Sequence, residues 1–416
     1  MSNLAMRLAA ASITFALGII IATLWVLPQF RRSTQVASSP KSSGPQAGIR
    51  CPVLKGHQPR HSENSVIDGR TAPWKATDLE VSGREDLGVL QFLNASEGWV
   101  GGSKGGLYKT VDAGKSWQKV KLDVPPDAIV NSIFFINPSV GWIIVSQEGE
   151  VFDNINTLTG RILRTTDGGN SWEVQYSGKA VSVDKIQFVN EQEGWAVGAR
   201  LPEQVQYVGL ILRTTDGGKH WADVSPKVDK DELGNSSYVT NISAVEPLKA
   251  IILKFDGIFY STEDGGRSWK EVAALPEEPP QAFLNEFKAT GYNRMWAVGG
   301  ADSIEGMWGT LARMDGNCFW TSYSVGGVRF SDAAVLSEQE LIVSGAIPSR
   351  GQDKTFESPS RDGLILYSSD GGRHWAIAYR DKRTQIFNAL AATDSNNVWA
   401  VGRNGHIIHL ARAAAK

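Results

Sequence analysis

Six carboxylates recur at one spacing: Asp112, Asp167, Asp216, Asp264, Asp315 and Asp370 each stand five residues before a tryptophan, namely Trp117, Trp172, Trp221, Trp269, Trp320 and Trp375. An aspartate can ligate calcium, work as an acid or base, or close a turn by accepting backbone N–H groups. Calcium needs several carboxylates converging on one point, and one per repeat does not supply that. The two clearest copies read Leu163-Arg164-Thr165-Thr166-Asp167-Gly168-Gly169-Asn170-Ser171-Trp172 and Leu212-Arg213-Thr214-Thr215-Asp216-Gly217-Gly218-Lys219-His220-Trp221. The paired glycines give backbone conformations closed to other residues, so the carboxylate reads as the hub of a tight turn between two strands. Three residues ahead of the Asp, successive repeats carry Lys109, Arg164 and Arg213. These are the candidate partner-binding residues, an arc suited to an acidic peptide or a lipid headgroup. The plainer alternative is a set of solvated strand ends.

Other chemistry finds little support. The sequence has no His-Glu-x-x-His, no Gly-x-Ser-x-Gly and no glycine-rich phosphate loop ahead of a helix. Its two cysteines, Cys51 and Cys318, make neither a metal cluster nor a disulfide framework, although an oxidising compartment would let them pair. Glycoside hydrolysis requires two carboxyl groups facing each other at roughly 5–9.5 Å, and no pair is singled out. With 42 basic against 44 acidic residues and a pI near 6.3, the chain lacks the basic excess of a general nucleic-acid binder. The expectation is a protein without catalytic residues, metal or cofactor.

The turns must be held by strands. Ahead of each lies a second recurring element, as in Glu97-Gly98-Trp99, Gly141-Trp142, Glu193-Gly194-Trp195-Ala196-Val197-Gly198, Met295-Trp296 and Val398-Trp399. Alternating apolar residues on either side of its turn describe two half-buried antiparallel strands, giving four strands per repeat. Anchored on this element the chain divides into seven four-stranded units over residues 72–412, the pattern of a seven-bladed β-propeller. The seventh unit lacks an Asp turn and its Trp. Pro73-Trp74-Lys75-Ala76-Thr77 resembles Ser116-Trp117-Gln118-Lys119-Val120, so an N-terminal strand is expected to complete the last blade and close the ring. The six repeated tryptophans are expected to be buried between blades. Long polar insertions at residues 146–160, 200–209, 301–309 and 347–363, with inter-blade loops at 225–238 and 273–282, would gather on the face opposite the Asp turns.

Ahead of the repeats, residues 1–7 form a short flank and residues 8–28 an uncharged, Ala-, Ile- and Leu-rich stretch. Its length fits a span of roughly 20 residues and exceeds the 7–15 of a signal core. No small-x-small cleavage site follows directly, and Gly48-Ile49-Arg50-Cys51 is not a lipoprotein box. An uncleaved single-pass anchor is expected, with a cleaved signal peptide as the alternative. The positive charges after the span favour a cytoplasmic propeller; the signal-like start favours export, the reading adopted here. Residues 29–71, rich in Ser, Pro, Gly, Lys and Arg, read as a flexible linker.

The S/T-x-D-x-G-x-x-W turn is the Asp-box, and the alternation of Leu163 to Trp172 and Leu212 to Trp221 with Glu193 to Gly198 and Val398 to Gly402 resembles the photosystem II stability/assembly factor family. The likeness implies a membrane-associated propeller facing the lumen or periplasm that holds newly made membrane subunits, and it carries no catalytic residues. The chain departs from that family in its uncleaved span and missing lipobox cysteine. The expectation is a protein-binding scaffold for a membrane or envelope complex. The alternative is a carbohydrate-active propeller, because sialidases also carry Asp-boxes. Their Arg-Leu-Pro signature occurs here only at Arg200-Leu201-Pro202, within the third blade.

Overall fold

The computed structural model describes residues 62–413 except 148–158, 201–207, 227–237, 256, 275–283, 292–293, 304–305, 315–319 and 349–360. The expected anchor at 8–28, both cysteines, Asp315 and most of the insertions at 146–160, 200–209 and 347–363 lie outside the described residues. Among the described residues no helix is long and apolar enough to cross a membrane.

Among the described residues seven sheets are present, and the first strands of neighbouring sheets touch in an unbroken cycle, which makes them a seven-bladed wheel with those strands at its hub. The hub strands are Leu87–Phe92, Ala128–Phe135, Val181–Phe188, Val239–Glu246, Leu284–Gly291, Arg329–Val335 and Phe387–Asp394, for blades one to seven. Each carries a register shift near its start, such as Val130/Ser132 and Val183/Lys185. A bulge bends and twists a strand, which suits seven sheets converging on one axis.

Side chains then tie each hub strand to the next. Gln91 bonds the backbone of Phe135, Ser132 accepts from Ile186 N–H, and Gln187 accepts from Ala244 N–H. Asn241 donates to Glu286 at 2.6 Å, Asn285 to Phe330 C=O, and Asn388 to Leu87 C=O, while Asp332 accepts from Leu390 N–H. These bonds complete a full circle.

The second strands differ from expectation. Gly98–Gly102, Gly141–Gln147 and Gly194–Arg200 are buried almost throughout rather than half-buried, because both faces of each sheet lie against neighbouring blades. Their tryptophans form the junctions. Trp99 stacks on Phe135 of the next blade at 4.3 Å, Trp142 on Phe188 at 3.5 Å and Trp399 on Phe92 at 3.8 Å. Asp-box tryptophans Trp172, Trp221 and Trp117 meet these pairs edge-on. Most of the described Asp-box tryptophans are thus less buried than expected. Trp99, Trp142, Trp195 and Trp399 are wholly buried, whereas Trp117, Trp172, Trp221 and Trp269 are half-buried, lying at the start of outer strands near the rim. Of the Asp-box tryptophans, Trp375 is fully buried.

Trp74–Glu80 pairs antiparallel with His406–Arg412 as the outer strand of blade seven, from Trp74 opposite Arg412 to Glu80 opposite His406. The ring is closed by the two ends of the wheel, as the sequence implies. The Arg412 guanidinium lies 5.0 Å over the Trp74 ring and bonds Glu340 of blade six. The expected linker, however, ends too late. Ser62–Asn64 and Val66–Thr71 are strands that add in parallel to the outer edges of blades five and six. Apolar Val66 and Ile67 set this stretch apart from the polar residues before it.

Truncation of the stacked tryptophan should cost more than truncation of the rim one. Trp142→Ala is expected to lose about 3–5 kcal/mol in urea unfolding, and Trp221→Ala measurably less.

Candidate functional site

In each of the five described Asp-boxes a hydroxyl and a carboxylate share the turn. In blade two Thr165 Oγ1 donates to Asp167 Oδ1 at 2.8 Å and accepts Gly169 N–H at 2.9 Å, while Ser171 bonds Asp167 through its N–H and its Oγ. Asp112, Asp264, Asp216 and Asp370 repeat this, with His220 and His374 replacing the serine and bringing Nδ1 to 2.6 Å. Bonds from the Ser116 and Ser171 side chains, then from their backbone, hold Asp112 and Asp167 down at about 2. The backbone and ring of His220 do so for Asp216, also to about 2. At Asp264 burial opposes ionisation, but the Ser268 bonds outweigh it and the value again falls to about 2. Each carboxylate is spent on its own turn, so the described boxes do not converge on a calcium ion.

The turn also serves the neighbouring blade. Gly168 and Gly169 have φ of +71° and +89°, and a Cβ on Gly169 would lie 2.4 Å from the Trp99 ring of blade one. Only glycine gives both the backbone angle and the close approach. In the same way Trp142 donates its indole N–H to Gly217 C=O, and Trp399 to Ala113 C=O.

Lys109, Arg164 and Arg213 stand directly opposite Trp99, Trp142 and Trp195 on adjacent strands, with their cations 5.1, 5.4 and 5.4 Å over the rings. Stacking of this kind is favourable and fixes the side chain. Lys109 pairs with Glu97 at 3.1 Å, and Arg213 with Glu193 at 2.8 Å. Both carboxylates come from the Glu-Gly-Trp element; in blade two Val140 precedes Gly141-Trp142 instead. Among the described residues no carboxylate pairs with Arg164, and its Nε is buried without an acceptor. Sequence reasoning missed Arg313, which lies 4.8 Å over Trp296 in the same structural position. The blade-five box puts this arginine two residues before Asp315 rather than three. His409, stacked on Trp399 at 4.4 Å, fills the position in blade seven.

Two further clusters were not foreseen. At the hub, Lys185 of blade three meets Glu286 of blade five at 2.7 Å, and Lys288 lies 3.6 Å from Glu286 and 3.5 Å from Asp332 of blade six. Burial penalises the Glu286 charge, yet Lys185 and Lys288 hold its carboxyl low, at about 2; burial pushes Asp332 up. At the closing strand Asp78, Asp381 and His406 lie within 4.8 Å of one another. The Arg383 guanidinium bonds both carboxylates, at 2.8 and 2.5 Å. His406 Nδ1 is buried with no partner, whereas a metal-bound histidine normally anchors its second nitrogen. The group reads as an ionic latch between blade six and the closing strand.

Sheet order, hub and turns together define a seven-bladed Asp-box β-propeller. The family model for photosynthesis system II assembly factor YCF48 matches residues 154–285. Photosystem II assembly lipoprotein Ycf48 of Synechococcus sp. (strain CC9902) is 26% identical over 117 residues, which are 28% of this chain and 32% of that protein, so the match spans about a third of its length. The solved structure of YCF48 bound to D1 peptide superposes with a TM-score of 0.58 at 20% identity, covering 83% of this chain and 99% of that one. YCF48 from Cyanidioschyzon merolae gives 0.57 at 16%, covering 81% and 98%. The chain is thus similar in fold to these structures, and over part of its repeats similar in sequence to photosystem II assembly factors.

Acid should test the turns. A folded carboxyl at about 2 against roughly 3.9 unfolded adds stability that is complete above the unfolded value and fades as pH falls toward the folded one. Urea midpoints are expected to drop between about pH 4 and pH 2, and Asp167→Asn should lower the neutral-pH midpoint while making that drop shallower.

Proposed function

We propose that this chain is a non-catalytic assembly factor, tethered to a membrane through residues 8–28 with its propeller on the extracytoplasmic side. It holds an acidic polypeptide segment of a membrane or envelope complex on the Asp-box face. The observation that carries this reading is Arg164, a guanidinium fixed over Trp142 with no carboxylate partner among the described residues, between the cations of blades one and three. A preorganised arginine with spare donors binds a carboxylate through paired hydrogen bonds at small entropic cost.

Other findings favour the same reading. The solved YCF48 structure holds a D1 peptide, and the Synechococcus relative is named a lipoprotein, which accords with a membrane-bound role. In this chain Arg50 precedes Cys51, so the tether proposed is the apolar stretch rather than a lipid. The facing carboxylates at the hub, Glu286 and Asp332, are engaged by Lys185 and Lys288. That arrangement suits a structural ion chain better than the acid and base of a glycosidase.

Fluorescence anisotropy with the full chain and a labelled D1 peptide tests the proposal. Arg164→Ala combined with Arg213→Ala should weaken binding about 10-fold or more, in keeping with loss of charge-assisted bonds. Unchanged affinity, or no binding by the unaltered chain, would refute this site and this partner class.

A further inference from the structure

Ten residues ahead of the closing strand form an arm that the wheel does not need for closure. Ser62–Asn64 runs parallel to Trp320–Gly326 of blade five, with Ser62 opposite Ser322 and Asn64 opposite Ser324. Val66–Thr71 runs parallel to His374–Asp381 of blade six, but only Val66, Ile67 and Thr71 are in register, and the residues between 67 and 71 leave it. There Arg70 bonds Asp68 rather than the sheet.

The hold on this arm is concentrated in two side chains. Ser65 is buried between the blades: its N–H donates to Ser324 C=O at 3.0 Å, and its Oγ lies 2.6 Å from Gly372 C=O and 2.9 Å from Arg373 C=O of the blade-six turn. Ile67 packs on the core cluster that contains Trp375, Leu366 and Tyr323. Val66 between them is 53% exposed, so its identity is nearly free. The closing strand is held far more firmly, by seven consecutive pairs, by Arg412 over Trp74 and by the bonds of Arg383 and Tyr379 to Asp78.

Short ladders at an edge open locally at lower free energy than a sheet interior. Opening this arm bares the outer edges of Trp320–Gly326 and His374–Asp381. A bared edge is a template for an incoming extended chain, which gains affinity from main-chain bonds and specificity from alternate side chains.

We propose that residues 62–71 are a built-in pseudo-ligand occupying a strand-addition site on blades five and six, and that the site accepts an extended partner segment carrying serine, one unconstrained residue and a β-branched apolar residue. The serine is required because two backbone carbonyls face it in a buried slot, and the apolar residue because it must cover the Trp375 cluster. This surface lies on the rim and does not rest on the Asp-box reading.

The probe is a fluorescein-labelled peptide of residues 62–71, titrated into the full chain and into full-length Ser65→Ala/Ile67→Asn. Weakening the arm raises the competent fraction, so the variant should bind the peptide about 10-fold or more tighter than the unaltered chain. A peptide carrying the same two changes should bind neither protein. Equal binding by the two proteins, or equal binding of the two peptides, overturns the proposal. Hydrogen exchange on the unaltered chain gives a reading independent of the variant's folding. The Ser65 and Val66 amides, which donate to Ser324 and Arg373 C=O, should exchange at least about 10-fold faster than those of Thr77 and Leu79; equal protection would show that the arm opens only with the wheel, and would also overturn it.

Discussion

Stacking of a second-strand tryptophan on the next blade's phenylalanine is the contact on which this wheel rests. A sheet in a propeller has both faces covered only while its neighbours stay in place, so a loosened junction exposes apolar surface on two blades at once. Trp399 on Phe92, Trp99 on Phe135 and Trp142 on Phe188 give near-parallel stacks at 3.5–4.3 Å across three successive junctions. From blade three to blade six no such Trp–Phe stack is formed among the described residues. Those blades carry other ties: the chain Lys185–Glu286–Lys288–Asp332 crosses the hub from blade three to blade six, and the N-terminal arm binds blades five and six at the rim. The blade-five box, where Arg313 and Met314 replace the usual residues before the Asp, lies within that region. Ion chains of this kind have desolvation to offset, which makes them weaker substitutes for an aromatic stack and explains why two kinds of tie occur together.

This arrangement recasts the most visible motif. The Asp-box carboxylate organises a turn so that the second of two left-handed glycines can press against a neighbouring indole. Its chemistry is geometric: Thr165 and Ser171 saturate Asp167, Gly169 admits Trp99, and the same ring carries Lys109. The binding face proposed above would follow from the same packing. Cations are held over tryptophans because cross-strand register puts them there, and a missing glutamate in one blade leaves Arg164 with donors to spare.

The repeat, the blade number and the closing strand were legible because each rests on local sequence. The spacing of Asp112 to Trp117 recurs, and Trp74 follows the pattern of Trp117. The full burial of the second strands was missed because a lone tryptophan says nothing about whether one or both faces of its sheet are covered. Arg313 was missed because it pairs with Trp296 through register, while the box around it has decayed. The hub ion chain could not be read at all, since Lys185, Glu286, Lys288 and Asp332 come together from blades three, five and six, far apart in sequence. The arm was mistaken for linker because its parallel pairing leaves no alternating pattern, and only Val66 and Ile67 mark it as strand.

The claim that every junction depends on ring closure is tested most directly by comparing a chain begun at Ala72 with one begun at Val81, which lacks Trp74–Glu80. Urea unfolding followed by tryptophan fluorescence should show one cooperative transition for the first. The second should show an earlier, broadened one, as Tyr367 and Leu410 lose their cover. The same midpoint and slope for both would contradict the account.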